Sequence, residues 1–108
     1  MNGHEKTAKL IALLLPATEA GKVDWEDPST RGYGDLFRCP LEKGLLQIEH
    51  HRVFVFTYPN AGVAYIYQPE TDQEKQQLGD LYELVQYQMS GGPEILDHML
   101  QEIKDLGV

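Results

Sequence analysis

Few residues in this 108-residue chain have the types and spacing that chemistry requires. His50 and His51 are adjacent, and the single cysteine, Cys39, stands between Arg38 and Pro40. Adjacent histidines in a strand face opposite ways, and in a turn they would still need distant ligands such as Cys39 or His98. The usual zinc spacings are missing, so no metal site is expected. A neighbouring Arg38 lowers a thiol pKa slightly, but no nucleophile motif surrounds Cys39, which reads as a small, half-buried strand residue. Carboxylate pairs such as Asp24 with Glu26, or Glu70 with Asp72, have the chemistry to share a proton or hold a cation. In a chain with 17 acidic residues, however, such pairs arise by abundance. Ser90-Gly91-Gly92-Pro93 lacks the lysine and preceding strand of a phosphate loop and reads as an interhelical turn. Nucleophile, base and stabilising donor nowhere fall together, so the expectation is a protein without catalytic residues or cofactor.

What remains is surface chemistry, and it is acidic. The formal charge is −8, and it is unevenly placed: residues 1–69 hold eight acids and seven bases, whereas residues 70–108 hold nine acids and two bases. Phosphate backbones and anionic lipid surfaces are bound through Lys and Arg, so direct nucleic-acid or membrane binding is not expected. The apolar run at residues 10–15 is too short to span a bilayer, and no signal-peptide pattern opens the chain. With one cysteine and no internal disulfide available, a cytoplasmic location is expected. Glu94, Asp97, Glu102 and Asp105 are candidates for engaging a basic surface on another protein, against the plainer reading of a solvated face that keeps the chain soluble.

The elements that position these groups can be read from periodicity. Residues 4–20 carry Ala8, Ile11, Ala12, Leu14, Leu15 and Thr18 at helical spacings and end at Gly21, a position suited to a left-handed cap; Pro16 predicts a kink or break. Residues 22–26 alternate as a short strand in which Val23 and Trp25 face the core, and residues 27–34 are a turn-rich surface loop. Four strands follow, at 36–41, 45–49, 52–58 and 63–68, joined by short breaks that include Pro59-Asn60-Ala61-Gly62. The run RVFVFTY is apolar on both faces and marks a central strand. In the fourth strand Ala64 and Ile66 are expected under the helices, which leaves Tyr65 and Tyr67 on an open aromatic face suited to binding. A helix capped by Thr71 or Asp72 carries Leu78, Leu81, Tyr82, Leu84, Val85 and Met89 as its apolar stripe. A last helix starts at Pro93, and Ile95, Leu96, Met99, Leu100, Ile103 and Leu106 are expected as its buried stripe. The whole predicts one α+β domain over residues 1–108: an N-terminal helix, an antiparallel meander of four to five strands, and two C-terminal helices packed on one face.

The segment TEAGKVDWE at residues 18–26, the meander, and LYELVQYQMSGGPEILDHMLQEI at residues 81–103 resemble a scattered group of small bacterial proteins. That group joins a first helix ending in Gly-Lys-aliphatic-acidic-Trp to a meander, a helix with Leu-Tyr-Glu-Leu, and an acidic, leucine-rich last helix. The resemblance implies the fold and an accessory or interaction role, sometimes linked to conflict and defence systems, and it implies no catalytic residue. Positions after Leu84 that are often basic in the group are Val85, Gln86 and Tyr87 here. The expected function is therefore a protein-binding module, homodimeric through the aromatic sheet face or a strand edge. The alternative is an acidic inhibitor or immunity-type protein that blocks a basic site.

Overall fold

A computed structural model describes residues 1–28, 35–57 and 62–107. Its α+β architecture follows the predicted order. Helix α1 (Gly3–Glu19) is followed by strands β1 (Leu36–Pro40), β2 (Gly44–Glu49), β3 (Val53–Thr57) and β4 (Val63–Tyr67), then helices α2 (Asp72–Met89) and α3 (Gly92–Asp105). The strands form one sheet in sequence order, every pair antiparallel. The predicted central strand, β3, lies between β2 and β4. The loop expected at residues 27–34 and the turn at residues 59–62 fall largely outside the described residues.

Local chemistry explains where the helices begin and end. The side chain of Asn2 caps α1 by accepting the Glu5 amide at 2.8 Å, and Gly21, at φ 68°, closes it in the left-handed conformation that glycine adopts without a Cβ penalty. Pro16 causes no break. It forfeits its own bond to the Ala12 carbonyl, but the helix runs on to Glu19 and the Pro16 carbonyl still accepts the Ala20 amide at 3.0 Å. Thr71 caps α2 in a reciprocal box: its hydroxyl accepts the Glu74 amide, and the Glu74 carboxylate accepts the Thr71 amide, each at 3.1 Å. The strand expected at residues 22–26 is reduced to one bridge, in which Glu26 exchanges backbone bonds with Arg38 at the outer edge of β1. Trp25 packs against the core as expected, with its indole N–H donating to Thr18 Oγ1 at 3.0 Å.

The core lies between the sheet and two helices. Ile11 and Leu14 of α1 and Leu78, Leu81 and Val85 of α2 pack with Phe37, Leu46, Ile48, Val53 and Tyr67 from one face of the sheet. Helix α3 does not join them, contrary to the expected buried stripe, and none of its residues is buried. Leu81 is fully enclosed, so Leu81→Ala is expected to lower unfolding stability by about 2–5 kcal/mol through lost contacts and a residual cavity. Urea unfolding followed by far-UV circular dichroism would check this, and a loss below about 1 kcal/mol would mean that the core is not built as described.

Candidate interaction surfaces

Strand alternation divides the sheet cleanly. The register aligns Phe37, Ile48, Val53 and Tyr67 in one cross-strand row and Cys39, Leu46, Val55 and Tyr65 in the next, and both rows face the helices. The intervening rows, Arg38–Gln47–Phe54–Ile66 and Pro40–Leu45–Phe56–Val63, therefore face away from them. A register irregularity between Val55 and Phe56 brings Val63 opposite Phe56. This reverses the expectation for β4. Tyr67 is 1% exposed and Tyr65 packs at the margin of the core, whereas Ile66 is 50% exposed on the open side.

Tyr67 can be buried because its polar end has partners. Its ring lies against His4, with centroids 4.7 Å apart. Burial first, and then the neighbouring Glu74 carboxylate, push its phenol up to about 12. Partial desolvation of Glu74 opposes its charge, but the Glu70 and Thr71 amides and the His4 side chain outweigh that and hold the carboxyl down at about 2. An ionised carboxylate only accepts, so His4 Nε2 carries the hydrogen in the 2.7 Å bond to Glu74 Oε2. The cluster ties the start of α1 to the start of α2 above the end of β4.

The open face is polar toward β1 and apolar toward β4. Arg38 Nε donates to Gln47 Oε1 at 3.0 Å, and Gln47 Nε2 donates to Glu49 Oε2 at 3.3 Å. Glu49 also accepts from Arg52 Nε at 3.1 Å, and the Arg52 guanidinium lies 4.9 Å over the Phe54 ring. Beyond this chain come Phe54 and Phe56, stacked at 6.2 Å, with Leu45, Val63 and Ile66 beside them.

The second surface is α3. Ile95, Leu96, Met99, Leu100, Ile103 and Leu106 are each 48–70% exposed, though their spacing makes one continuous stripe. Full burial of such a side chain is worth ~1.5–3 kcal/mol, so six left half in water forgo on the order of 5–10 kcal/mol. Glu94, Asp97, Glu102 and Asp105, the predicted acidic candidates, are exposed on the same helix. Its direction is set by the preceding turn. Gly91 adopts φ 74°, and a Cβ on Gly92 would meet the Tyr87 ring and lie 2.8 Å from the Tyr87 carbonyl oxygen, so both positions need glycine.

The remaining candidates lie elsewhere. His50 and His51 occupy the β2–β3 turn, 3.1 Å apart through Nδ1 and Nε2, with His50 edge-on to Tyr82. They border two shallow cavities of about 400 and 320 Å³, one completed by Asp35, Glu49 and Arg52, the other by Lys75 and Gly79. Among the described residues, no three His, Cys, Asp or Glu side chains are grouped to hold a metal, and no helix is long and apolar enough to cross a membrane. Cys39 is wholly buried rather than half-buried. Burial, followed by Asp24 and Glu26, raises its pKa, while Arg38 points to the other face and does not activate the thiol.

With this geometry in hand, comparison with protein-family models, curated proteins and solved structures finds no match. The open-face residues missed from the sequence had a signal in β2. Its Gln47 and Glu49 alternate with Leu46 and Ile48, which marks the Leu45–Gln47–Glu49 side as the one turned away from the helices, though Gln47 itself is buried there. Antiparallel pairing then carries that side to Phe54 and Phe56.

The carboxyl of Glu74 has a folded-state pKa of about 2, below its ordinary 4.5. Its stabilising contribution is therefore complete above about 4.5 and is lost as pH falls toward about 2. Urea midpoints measured across that window are expected to fall less steeply for Glu74→Gln than for the wild-type chain. Parallel acid limbs would rule out the His4–Glu74–Tyr67 cluster as a contributor.

Proposed function

We propose that this chain is a small, non-catalytic, cytoplasmic protein-binding module that engages another polypeptide through the apolar face of α3. One observation carries the reading: a 14-residue helix with a continuous apolar stripe and no buried residue. An isolated helix of this length is marginal in water, and most helical stability comes from packing an amphipathic face. Exposed contiguous apolar surface rimmed by polar groups is characteristic of interaction sites. A partner that covers the stripe supplies both the missing packing and the missing burial. The reading of Cys39 as a structural residue, its thiol enclosed and kept protonated, fits a module without nucleophilic chemistry.

The acidic side of α3 favours a second reading, a module that blocks a basic site. Glu94, Asp97, Glu102 and Asp105 would meet that site's positive charges while the stripe packs beside them. The two readings separate by salt. With the purified chain as bait in lysate from its source, Leu100→Glu is expected to abolish partner retention at every ionic strength. Reversing Glu102 and Asp105 to Lys is expected to leave retention largely intact if the apolar face dominates. Under the second reading the same reversal removes retention and its salt sensitivity. A partner held equally by wild type and Leu100→Glu would remove α3 from the proposal.

A further inference from the structure

We infer that the surface covering α3 is the open sheet face of a second copy of this chain, each copy laying its α3 across the other's β1–β4 meander. This rests on the reading of α3 as a binding surface and names its partner. The protein carries two apolar faces of different shape, a helix stripe and a sheet patch in which Val63 and Ile66 are exposed and Leu45, Phe54 and Phe56 are half-buried beside them. Their lengths are compatible: fourteen helical residues span ~21 Å, and strands of five or six residues run ~17–20 Å.

A chain cannot satisfy its own two faces in this way. Helix α2 lies on the covered side of the sheet, and α3 begins after only Ser90 and Gly91, with Gly92 locked against Tyr87. That turn leaves no length for α3 to pass round the sheet and lie flat on its far side. Pairing of α3 with α3 is the other way for two copies to meet, and two features disfavour it. Leu96, Met99, Ile103 and Leu106 have the 3-4-3 spacing of a helix-pair seam, but Ile95 and Leu100 widen the stripe beyond what one facing helix covers. The helix also carries four acids against Lys104, so two would repel, whereas the open sheet face carries Arg38 and Arg52 against the single acid Glu49. Reciprocal exchange further gives each copy both a donated stripe and a covered sheet. At on the order of 50–100 Å² per exposed apolar side chain, the six of the helix with Val63 and Ile66 of the sheet supply most of the roughly 800 Å² per partner of a stable interface.

The test uses the full chain and two substitutions at exposed positions, Ile103→Glu on the helix stripe and Ile66→Lys on the sheet. Light scattering after size exclusion should give the wild type twice the 12.3 kDa of one chain. Each variant alone places a charge in both contacts of its dimer and should weaken self-association by at least about 100-fold, with circular dichroism unchanged. An equimolar mixture of the two keeps one intact contact, the Ile66→Lys copy's helix on the Ile103→Glu copy's sheet, and should recover a one-to-one dimer. A wild-type dimer that survives Ile66→Lys but not Ile103→Glu would show helix-to-helix pairing and overturn the exchange. A wild-type chain that keeps single-chain mass at every concentration would also overturn it. In that case, lysate retention that depends on Leu100 would leave the binding role of α3 standing, and its absence would remove both.

Discussion

Seating of α1 and α2 on a single face of the sheet is the constraint from which the other surfaces follow. Ile11, Leu14, Leu78, Leu81 and Val85 pack over Phe37, Ile48, Val53 and Tyr67, and α3 contributes no buried residue to that layer. A four-stranded sheet has two faces of equal area, and one layer of helices covers one of them. The chain handles the exposed side in two ways. Toward β1 it is made polar, with Arg38, Gln47, Glu49 and Arg52 linked in a continuous chain of hydrogen bonds. Toward β4 it stays apolar, with Phe54 and Phe56 half-buried and Ile66 exposed.

Polar groups set the alignment of the layers as much as apolar ones do. Trp25 reaches Thr18 at the closing end of α1, and Glu74 reaches His4 at its opening end, so the helix is held at both ends. Every buried side-chain nitrogen and oxygen among the described residues has a partner. The orientation of α1 on the sheet is therefore specified by bonds with fixed geometry, whereas apolar packing alone tolerates sliding.

Much of this was legible in the residues. Period two over residues 36–67 places the four strands within one or two residues of their ends, and Thr71 and Gly21 mark helix boundaries because their chemistry has few other uses there. The errors share a cause. Alternation separates Tyr65 and Tyr67 from Ala64 and Ile66, but it does not state which pair the helices cover. A phenol reads as the wetter choice until His4 and Glu74, far away in sequence, are seen to satisfy it. Likewise, 3.6-residue periodicity in α3 shows that Leu96, Met99 and Ile103 share a face without showing that anything in the same chain meets it. Strand alternation at Val23 and Trp25 yields one bridge because Trp25 is recruited by Thr18 and the core rather than by a ladder.

The His4–Glu74 bond joins residues 70 positions apart, and that separation has a temporal meaning. Helix α1 packs chiefly on α2, and at ~5–20 residues added per second the ribosome delivers α2 roughly 4–14 s after the start of α1. During that interval Ile11 and Leu14 have no α2 to cover them, and the meander forms by local hairpins without its helical lid. The first helix made is thus among the last to be housed, and folding closes when the nascent chain brings Glu74 back to His4.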